Sequence, residues 1–433
     1  MEKSIVWFRN DLRIEDNKSL SEACKNSELV IGVYFLDPEA FKVGKFGFKK
    51  TGKFRAKFLL ESLQELRDNL KKLNISLLVS RHKPASKFAE LAERFKITSL
   101  YLQKEWTQEE INALKKVSSI LPDLVNVKAH YNQFLYHPED IPFAAFQKIP
   151  QVFTEFRKKC EKYVEVRTVI PIPEKFPKEN LLSNVPKLPT LNELGFEDFE
   201  TDPRSAFPFK GGENQAKNRL KHYFWETKKL AFYKKTRNGL LGTDYSSKFS
   251  PWLANGSISP TLIYREVKKF EAEVTKNEDT YWLVFELLWR DFFKYISLKH
   301  GNEIFKVGGI LKKKYSWGND EHIKNSWIQG KTTEDFVNAN MKELAQTGFM
   351  SNRGRQNVCS FWSKELQQDW RIGAAYFESM LIDYDVHSNW GNWMYMSGVG
   401  NDPRDRKFNI KSQAERYDPA GKYQQTWLQE RLF

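Results

Sequence analysis

Short apolar runs alternate with amphipathic stretches over the first 130 residues of the chain. Five runs have the length and content of buried strands: SIVWF, LVIGVYF, ISLLVS, SLYLQ and LVNVKAH. The stretches between them show helical spacing. In the clearest, at 51–73, leucines recur in steps of four and three: Leu59, Leu63, Leu66, Leu70 and Leu73. Strands that alternate with helices predict an α/β fold with a doubly wound parallel sheet over residues 1–131.

The pattern changes twice after this region. Seven of the 17 prolines fall between Pro171 and Pro208, which predicts a long linker over 132–212 that crosses the surface. From residue 213 onward the apolar spacing is helical, as in TYWLVFELLWRDFFKYISLKH. We therefore expect a mostly helical C-terminal domain over 213–433.

Several protein classes are disfavoured by composition. No apolar run has membrane-spanning length, and the N-terminus lacks the order of a signal peptide. Cys24, Cys160 and Cys359 lie far apart, too few for a disulfide framework and one short of the four thiolates that an iron–sulfur cluster usually takes. The seven histidines show no metal-ligand spacing. We expect a cytoplasmic, monomeric protein without a metal site or membrane contact.

Charge and aromatic content leave two interpretations each. Lys and Arg total 69 against 55 Asp and Glu, a net charge of +14 with a pI near 9.3. This favours either general solubility or a polyanionic partner. Nine of the 13 tryptophans lie between Trp282 and Trp427, which indicates either a large helical core or a planar ligand.

Two stretches of the helical half carry side chains that bind ligands. The segment at 233–260 is rich in Ser, Thr and Gly, whose hydroxyls and free backbone N–H groups can hold phosphate oxygens, although an ordinary capped loop is the alternative. In ELLWRDFF, helical spacing puts Glu286, Trp289 and Arg290 on one face. They could hold a base by hydrogen bonding and stacking, or Glu286 and Arg290 could form a solvated ion pair.

A third constellation lies near the C-terminus, in LIDYDVHSNWGNW. It sets Asp383 and Asp385 beside two asparagines and two tryptophans. The stretch TGFMSNRGRQNVCSF supplies Arg355, a natural counter-ion for one of these acids. A metal site is the competing interpretation, and the surrounding Asn, Arg and Trp side chains disfavour it.

Taken in order, these motifs resemble those of the photolyase/cryptochrome family over nearly the whole chain. The resemblance rests on IVWFRNDLRIEDN, YSSKFSPWLANGSIS, ELLWRDFF, NRGRQNV and LIDYD. Within the family the chain is most similar to the cryptochrome DASH group, on KTGKFRAKFLLESL, GTDYSSKFSPWLA, TGFMSNRGRQNVCSF and GVGNDPRDRKFNIKSQAERYDP. The resemblance implies non-covalent FAD in the helical domain and a methenyltetrahydrofolate antenna near the α/β domain.

The resemblance also implies which residues contact the flavin. Asp383 and Asp385 would flank the isoalloxazine ring, with Arg355 paired to Asp383. Asn389 would face flavin N5, where a side-chain amide permits the fully reduced anion. The remaining contacts, mostly to the phosphates and ribose, would be Tyr233, Ser246, Ser247, Lys248, Phe249, Ser250 and Asn352.

The same resemblance assigns an electron-transfer path and an antenna contact. Trp393, Trp370 and Trp317 match the family's triad, from the flavin to the surface, with three ordinary core residues as the alternative. Glu105 follows the fourth predicted strand, at the edge where such sheets bind ligands. It matches the region that contacts the folate pterin, although a single surface acid is the simpler interpretation.

The resemblance also implies which residues contact the substrate. Glu286 would hydrogen-bond a flipped pyrimidine pair and Trp289 would stack on it, a contact that contributes about 1–3 kcal/mol per base. Gln356 and Tyr395 stand where duplex-repairing members usually carry Met and Trp. Because a more polar pocket offsets less of the cost of base flipping, we predict a preference for single strands. The further nucleic-acid contacts would be Arg237, Arg290 and Arg353.

The sequence therefore predicts a light-driven photolyase of DASH type. It would repair cyclobutane pyrimidine dimers, preferentially in single-stranded DNA, by electron transfer from excited reduced FAD. RNA stays open as a further partner. One rival is a blue-light photoreceptor with the same flavin and tryptophans, and another is a nucleic-acid-binding protein in which flavin is structural.

Overall fold

A computed structural model describes residues 2–429 of the chain. Its N-terminal part is built on a parallel sheet with the strand order β3–β2–β1–β4–β5. The strands are β1 (Glu2–Phe8), β2 (Ser27–Phe35), β3 (Ser76–Ser80), β4 (Ser99–Gln103) and β5 (Asn126–His130). Each overlaps one of the five predicted runs. The order grows outward on both sides of β1, which is the predicted doubly wound arrangement.

Helices cover both faces of this sheet. They are α1 (Lys18–Asn26), α2 (Lys53–Lys72), α3 (Pro84–Phe95) and α4 (Gln108–Ser118). Because side chains alternate along a strand, Val6 and Phe8 of β1 join the core formed with α1 and α2. Ile5 and Trp7 join the core formed with α3 and α4 on the other face. The predicted leucine stripe of α2 belongs to the first of these cores.

The region predicted as a linker has two parts. Residues 171–203 are mostly exposed or half-buried, as expected of a connector that crosses the surface. The earlier part contains α5 (Phe153–Tyr163), and its Phe153 and Phe156 are buried in the core of the helical region. Proline content therefore marks only the later part as a connector, because the earlier part folds with the C-terminal helices.

The remaining helices form one large core around α10. They are α6 (Glu213–Leu220), α7 (Tyr233–Thr236), α8 (Ser250–Ala254), α9 (Pro260–Glu273), α10 (Glu278–His300), α11 (Glu321–Ile328), α12 (Asp335–Thr347), α13 (Asn352–Ser360), α14 (Trp370–Met380), α15 (Val386–Ser397), α16 (Ile410–Tyr417) and α17 (Lys422–Leu428). Helix α10 begins with a capping box between Asn277 and Thr280. The predicted helical character of this half is confirmed.

The described part of the chain can be checked for a membrane-spanning helix, a metal site and disulfide bonds. None of its helices is both long enough and apolar enough to cross a membrane. Within residues 2–429 no group of three or more His, Cys, Asp or Glu side chains is arranged to hold a metal ion. Cys24, Cys160 and Cys359 are free thiols.

Candidate functional site

A cavity of about 480 Å³ opens in the helical region between α8, α10, α13 and α15. Its size is that of a typical cofactor site. Two groups of predicted residues meet in its wall. Those predicted to hold the cofactor are Tyr233, Ser246, Ser247, Lys248, Phe249, Ser250, Asn352, Arg355, Asp383 and Asp385. Those predicted to contact nucleic acid are Arg237, Glu286, Trp289, Arg290, Arg353, Gln356 and Tyr395.

The two acids of the LIDYD stretch each face a protein cation. The Arg355 guanidinium donates to both oxygens of Asp383, at 2.9 and 3.0 Å, as predicted. Asp385 accepts from Lys294 Nζ at 2.7 Å and caps α15 by accepting from the Ser388 N–H at 2.8 Å. Burial alone would raise the pKa of Asp385, but the Lys294 ammonium outweighs it and holds the pKa far below its ordinary value.

Lys248 is the most unusual member of the Ser-rich wall. Its backbone is left-handed, with φ of 64°, and its Nζ is buried without a hydrogen-bond partner, 3.1 Å from the centre of the Tyr245 ring. Burial holds the pKa of Lys248 well below its ordinary value. An unpaired buried amine is costly unless a ligand satisfies it. This wall therefore suits an anionic group such as a phosphate or a reduced flavin.

Asn389, the predicted contact of flavin N5, is buried just behind this wall rather than in it. Its Nδ2 donates to the Ala374 carbonyl at 3.0 Å. The neighbouring positions Ser388 and Asn392 line the cavity instead. Contact between Asn389 and a flavin stays a prediction.

The predicted base-binding side chains of α10 do share one face, and Glu286 pairs with Arg237 at 2.7 Å. The alternative of a solvated Glu286–Arg290 pair is wrong. Arg290 instead donates to the main-chain carbonyls of Gln133, at 2.6 Å, and Leu253, at 3.0 Å. Its guanidinium thus connects the first part of the linker to the helical core, and its contact with nucleic acid stays a prediction.

Trp289 packs against four other rings, two of which, Phe292 and Phe293, belong to its own helix. It stacks on Phe153 of α5, with centroids 3.8 Å apart and planes at 16°. Tyr395 meets it edge-on, at 5.8 Å and 88°. The Tyr395 hydroxyl accepts from Arg406 at 2.7 Å, and Arg406 is held by Asp402. Sequence reasoning missed Phe153 and Arg406, because their proximity to Trp289 and Tyr395 depends on long-range packing.

The other predicted nucleic-acid contacts lie at the edge of α13. Arg353 donates to Asn238 at 3.3 Å and lies over the Tyr417 ring at 4.5 Å. Gln356 lines the first cavity, and its side-chain carbonyl oxygen is buried without a hydrogen-bond partner. Such an oxygen can accept a hydrogen bond from a ligand at little cost, because it has already lost its contact with water on folding.

The three tryptophans of the predicted path are arranged around α14. Trp370 is the first residue of that helix and is fully buried, and Trp393 packs against its Gly373, where a Cβ atom would overlap the indole ring. Trp317 is half-buried, and the next residue, Gly318, bonds to the backbone of Gln367 and Asp369 immediately before Trp370. An electron-transfer role for the three remains a prediction.

A second cavity, of about 290 Å³, lies at the carboxyl ends of β1, β2 and β4. This edge, where the strand order reverses, is the usual ligand site of doubly wound sheets. Glu105 lines it and is buried, so the interpretation as a single surface acid is wrong. Its Oε1 accepts from Gln103 at 2.7 Å and from Asn10 at 3.3 Å. Burial, reinforced by Glu110, raises the pKa of Glu105 to about 7.

His387, for which the sequence suggested no role, forms another part of this second cavity. Its ring stacks on Trp106 at 4.5 Å and 14°, and its Nδ1 shares a 2.7 Å hydrogen bond with Ser297. Its Nε2 is buried without a partner. Burial holds the pKa of His387 well below its ordinary value, so the ring is neutral. The cavity thus offers a neutral imidazole as well as the Glu105 carboxyl to a ligand.

Comparisons with known proteins agree with this layout. Residues 4–178 match the family model for DNA photolyase, and residues 282–431 match the model for the FAD binding domain of DNA photolyase. Cryptochrome DASH from Danio rerio is 46% identical over 432 residues, spanning 98% of this chain and 83% of the relative. The chain belongs to the cryptochrome DASH group of the photolyase/cryptochrome family.

The chain is also similar to another cryptochrome DASH and to two solved structures. Cryptochrome DASH from Synechocystis is 46% identical over 98% of this chain and 87% of the relative. The solved structure of a Synechocystis cryptochrome superposes with a TM-score of 0.94 at 45% identity, covering 98% and 88% of the two chains. A class III photolyase from Agrobacterium tumefaciens gives 0.83 at 25% identity, covering 99% and 86%. FAD binding by this chain, predicted from its sequence, is supported by the second family model.

Proposed function

We propose that this protein is a light-driven flavoprotein that repairs cyclobutane pyrimidine dimers, with a preference for single-stranded DNA. One observation carries the proposal. A single cavity is lined both by a wall of cofactor-binding character, with Arg355, Asp383 and Lys248, and by a wall of base-binding character, with Glu286 and Trp289. A ligand in the first wall would therefore lie next to a base held by the second.

The residues of the first wall fit a flavin dinucleotide. Bound FAD would supply light absorption and the electron that dimer splitting requires. The Ser246–Ser250 segment offers hydroxyls and backbone N–H groups to the phosphates, and Lys248 offers its unpaired amine. Asp383 and Asp385, both held as carboxylates by cations, can accept hydrogen bonds from the N–H groups of the ring system. Asn389 would contact flavin N5 from behind Ser388 and Asn392.

The base-binding wall suits an extruded pyrimidine pair. Glu286 is half-buried, and burial raises its pKa while Arg237 opposes that effect. Its carboxyl can therefore hydrogen-bond a base edge without leaving an unpaired charge. Phe153 covers one face of Trp289 and Phe293 packs against the ring at 34°, so a base would stack on the part of the indole that lines the cavity. Arg353 would meet the phosphates, and Gln356 would hydrogen-bond the bases.

The single-strand preference rests on Gln356 and Tyr395. Tyr395 presents an edge to Trp289 and its hydroxyl is already bonded to Arg406. The pocket thus offers one open stacking face rather than two. Extrusion from a duplex costs a few kcal/mol that a single strand does not require, so less stacking shifts the balance toward single strands.

We further propose that the second cavity holds a light-harvesting cofactor of the methenyltetrahydrofolate type. Glu105 and the orphaned Gln103 oxygen can accept from the N–H groups of a pterin, and His387 Nε2 is also unsatisfied. The solved archaeal photolyase from Sulfolobus tokodaii, 26% identical with a TM-score of 0.77, contains two FAD molecules and is described with a novel light-harvesting cofactor. An absorption spectrum separates the two, because a folate adds near-ultraviolet absorption alone, whereas a second flavin raises the near-ultraviolet and blue bands together.

Trp393, Trp370 and Trp317 would carry electrons from the surface to the first cavity. Indoles are among the most easily oxidised side chains, and the packing of Trp393 on α14 brings the path to the helix that begins at Trp370. A Trp370→Phe change should slow photoreduction of the bound flavin without reducing flavin content. Loss of flavin from this variant would indicate a purely structural role.

The proposal is tested with oligonucleotides that carry one cyclobutane dimer, in single-stranded and duplex form, in light and darkness. We expect light-dependent repair of the single strand and much weaker repair of the duplex. Glu286→Gln should lower repair of the single strand, whereas the matched change Glu278→Gln at the exposed start of the same helix should not. A flavin-loaded protein that repairs neither substrate would instead be assigned to the photoreceptor class.

A further inference from the structure

Trp390 connects the tryptophan path to the second cavity. It is buried in α15, and its ring centroid lies 5.6 Å from that of Trp370, with the planes at 78°. Its Nε1 donates to the Tyr384 hydroxyl at 3.2 Å. Trp370, Trp390 and Tyr384 therefore form an unbroken series of contacts between oxidisable side chains.

Tyr384 and the preceding Asp383 line different cavities. Asp383 lines the first cavity, whereas Tyr384 lines the second. The Arg55 guanidinium lies over the Tyr384 ring at 4.6 Å and donates to the backbone carbonyl of Glu378 at 2.7 Å. One arginine of α2 thus holds the phenol and the Glu378 segment together at the edge of the second cavity.

Glu378 provides a proton acceptor for this phenol. Glu378 and Tyr384 both line the second cavity, and Arg55 contacts both residues. Burial raises the pKa of Glu378, and Arg55 and Lys50 oppose that rise. The Tyr384 oxygen accepts from Trp390, so its own O–H is available to donate toward the Glu378 carboxyl. A phenol loses an electron readily only where its proton can leave, and this arrangement meets that condition.

We infer that Tyr384, with Glu378 as its proton acceptor, is the end of a second oxidisable branch that leaves the tryptophan path at Trp370 and runs through Trp390. The inference rests on the proposed function, which supplies the one-electron photo-oxidant in the first cavity. After Trp370 has lost an electron to that oxidant, Trp390 reduces it. Tyr384 then reduces Trp390, and its phenolic proton passes to Glu378. The products are restored Trp370 and Trp390, a neutral Tyr384 radical and protonated Glu378.

A simpler explanation is that Trp390, Tyr384 and Arg55 are only a packed, hydrogen-bonded cluster. The two explanations differ in the fate of the oxidising equivalent. A structural cluster leaves it on tryptophan, whereas the branch moves it to a tyrosine that lines the second cavity. The spectrum of the radical therefore separates them.

The main test is electron paramagnetic resonance of the flavin-loaded protein during illumination, with ring-deuterated tyrosine to identify tyrosyl lines. We expect a tyrosyl signal that is lost in Tyr384→Phe and in Trp390→Phe while the tryptophanyl signal remains. Tyr376→Phe is the control, because the Tyr376 ring likewise lies 5.6 Å from a tryptophan, Trp327, but lines neither cavity. A tyrosyl signal that survives in Tyr384→Phe, or the absence of one in the wild type, overturns the inference.

A second measurement does not depend on flavin. The purified protein is oxidised by illuminated ruthenium tris-bipyridine with persulfate, and oxidation products are mapped by mass spectrometry. We expect modification of Tyr384 to fall in Trp390→Phe and to be unchanged in Tyr376→Phe. Equal modification of Tyr384 in both variants contradicts the branch. Failure to bind flavin, with the Trp390 dependence intact, would reject the proposed function but not the branch.

Discussion

The two cavities share the side chains of Asp385 and Arg290 but differ in how their buried charges are balanced. In the first cavity each acid has a direct cationic partner, as in Arg355–Asp383 and Arg237–Glu286. In the second, Glu105 accepts only from neutral amides and has a pKa of about 7. Asp383 and Glu286 of the first cavity are therefore paired with cations in advance of a ligand, whereas Glu105 of the second is not.

This difference suits the ligands proposed for them. A dinucleotide brings its own negative charge, which the cations of the first wall would meet. A pterin is neutral and offers N–H donors. The Glu105 carboxyl, whose pKa is about 7, can accept hydrogen bonds from them. Five changes would break or sharpen this contrast.

The largest effect is expected from Arg355→Ala, which leaves the Asp383 carboxylate buried without its cation. Removal of one partner from a buried pair costs about 3–5 kcal/mol, and the free energy of unfolding should fall by that amount in urea denaturation. Flavin retention should be lost as well. The control is Arg167→Ala, whose bond to Asp140 is largely exposed and which should cost about 0–1 kcal/mol. Equal losses would show that the first cavity holds no special charge balance.

The second cavity should respond in the opposite direction to Glu105→Gln. Because the pKa of Glu105 is raised from 4.5 to about 7, the folded protein binds more protons than the unfolded chain between these values. Its stability falls as pH rises through that window. The variant should be more stable than the wild type above pH 7, by up to about 3 kcal/mol, and equal to it below pH 4.5.

Asp385→Asn is the matched comparison for that experiment. The pKa of Asp385 is held low by Lys294, so the carboxylate contributes stability above its ordinary pKa and loses it only in strong acid. Its replacement should destabilise the protein at neutral pH. If both variants changed stability with the same sign at pH 8, the contrast between the cavities would be wrong.

A smaller effect is expected from Gly373→Ala, behind the first cavity. The added Cβ would overlap the Trp393 ring, and overpacking of this kind costs about 1–3 kcal/mol. Thermal unfolding should shift downward, with slower photoreduction of the flavin. Gly44→Ala serves as the control, because its Cβ would meet only ordinary contacts. An unchanged unfolding midpoint for Gly373→Ala would mean that Trp393 is loosely packed against α14.

The smallest effect is expected from Arg406→Ala at the mouth of the first cavity. Its pair with Asp402 is partly exposed, so stability should change by about 0–1 kcal/mol. If Arg406 meets a phosphate, the salt dependence of single-strand binding should weaken by about 0.7 in log–log slope. Lys407→Ala, next to it and outside the cavity wall, should leave the slope unchanged. An effect of Lys407 equal to that of Arg406 would indicate general surface charge.

Patterns within short segments predicted much of the molecule. The five strands, α2 and α10 follow from local periodicity, and Glu286, Trp289 and Arg290 share a face because helical spacing requires it. The Arg355–Asp383 pair also formed as predicted. The packing of the 132–166 region was not predicted, because prolines downstream suggested a linker while buried rings such as Phe153 bind it to the helical core.

Periodicity was sufficient for the order of the elements. The resemblance of a few motifs to those of a known family implied the family and most of the residues of the first cavity. They could not specify which neighbours each polar atom meets. That Arg290 bonds to carbonyls rather than to Glu286, that Glu105 is buried, and that Arg55 lies over the Tyr384 ring all depend on segments far apart in the chain. Hydrogen bonds and burial of this kind exist only after distant elements have packed, because no local pattern encodes their distance.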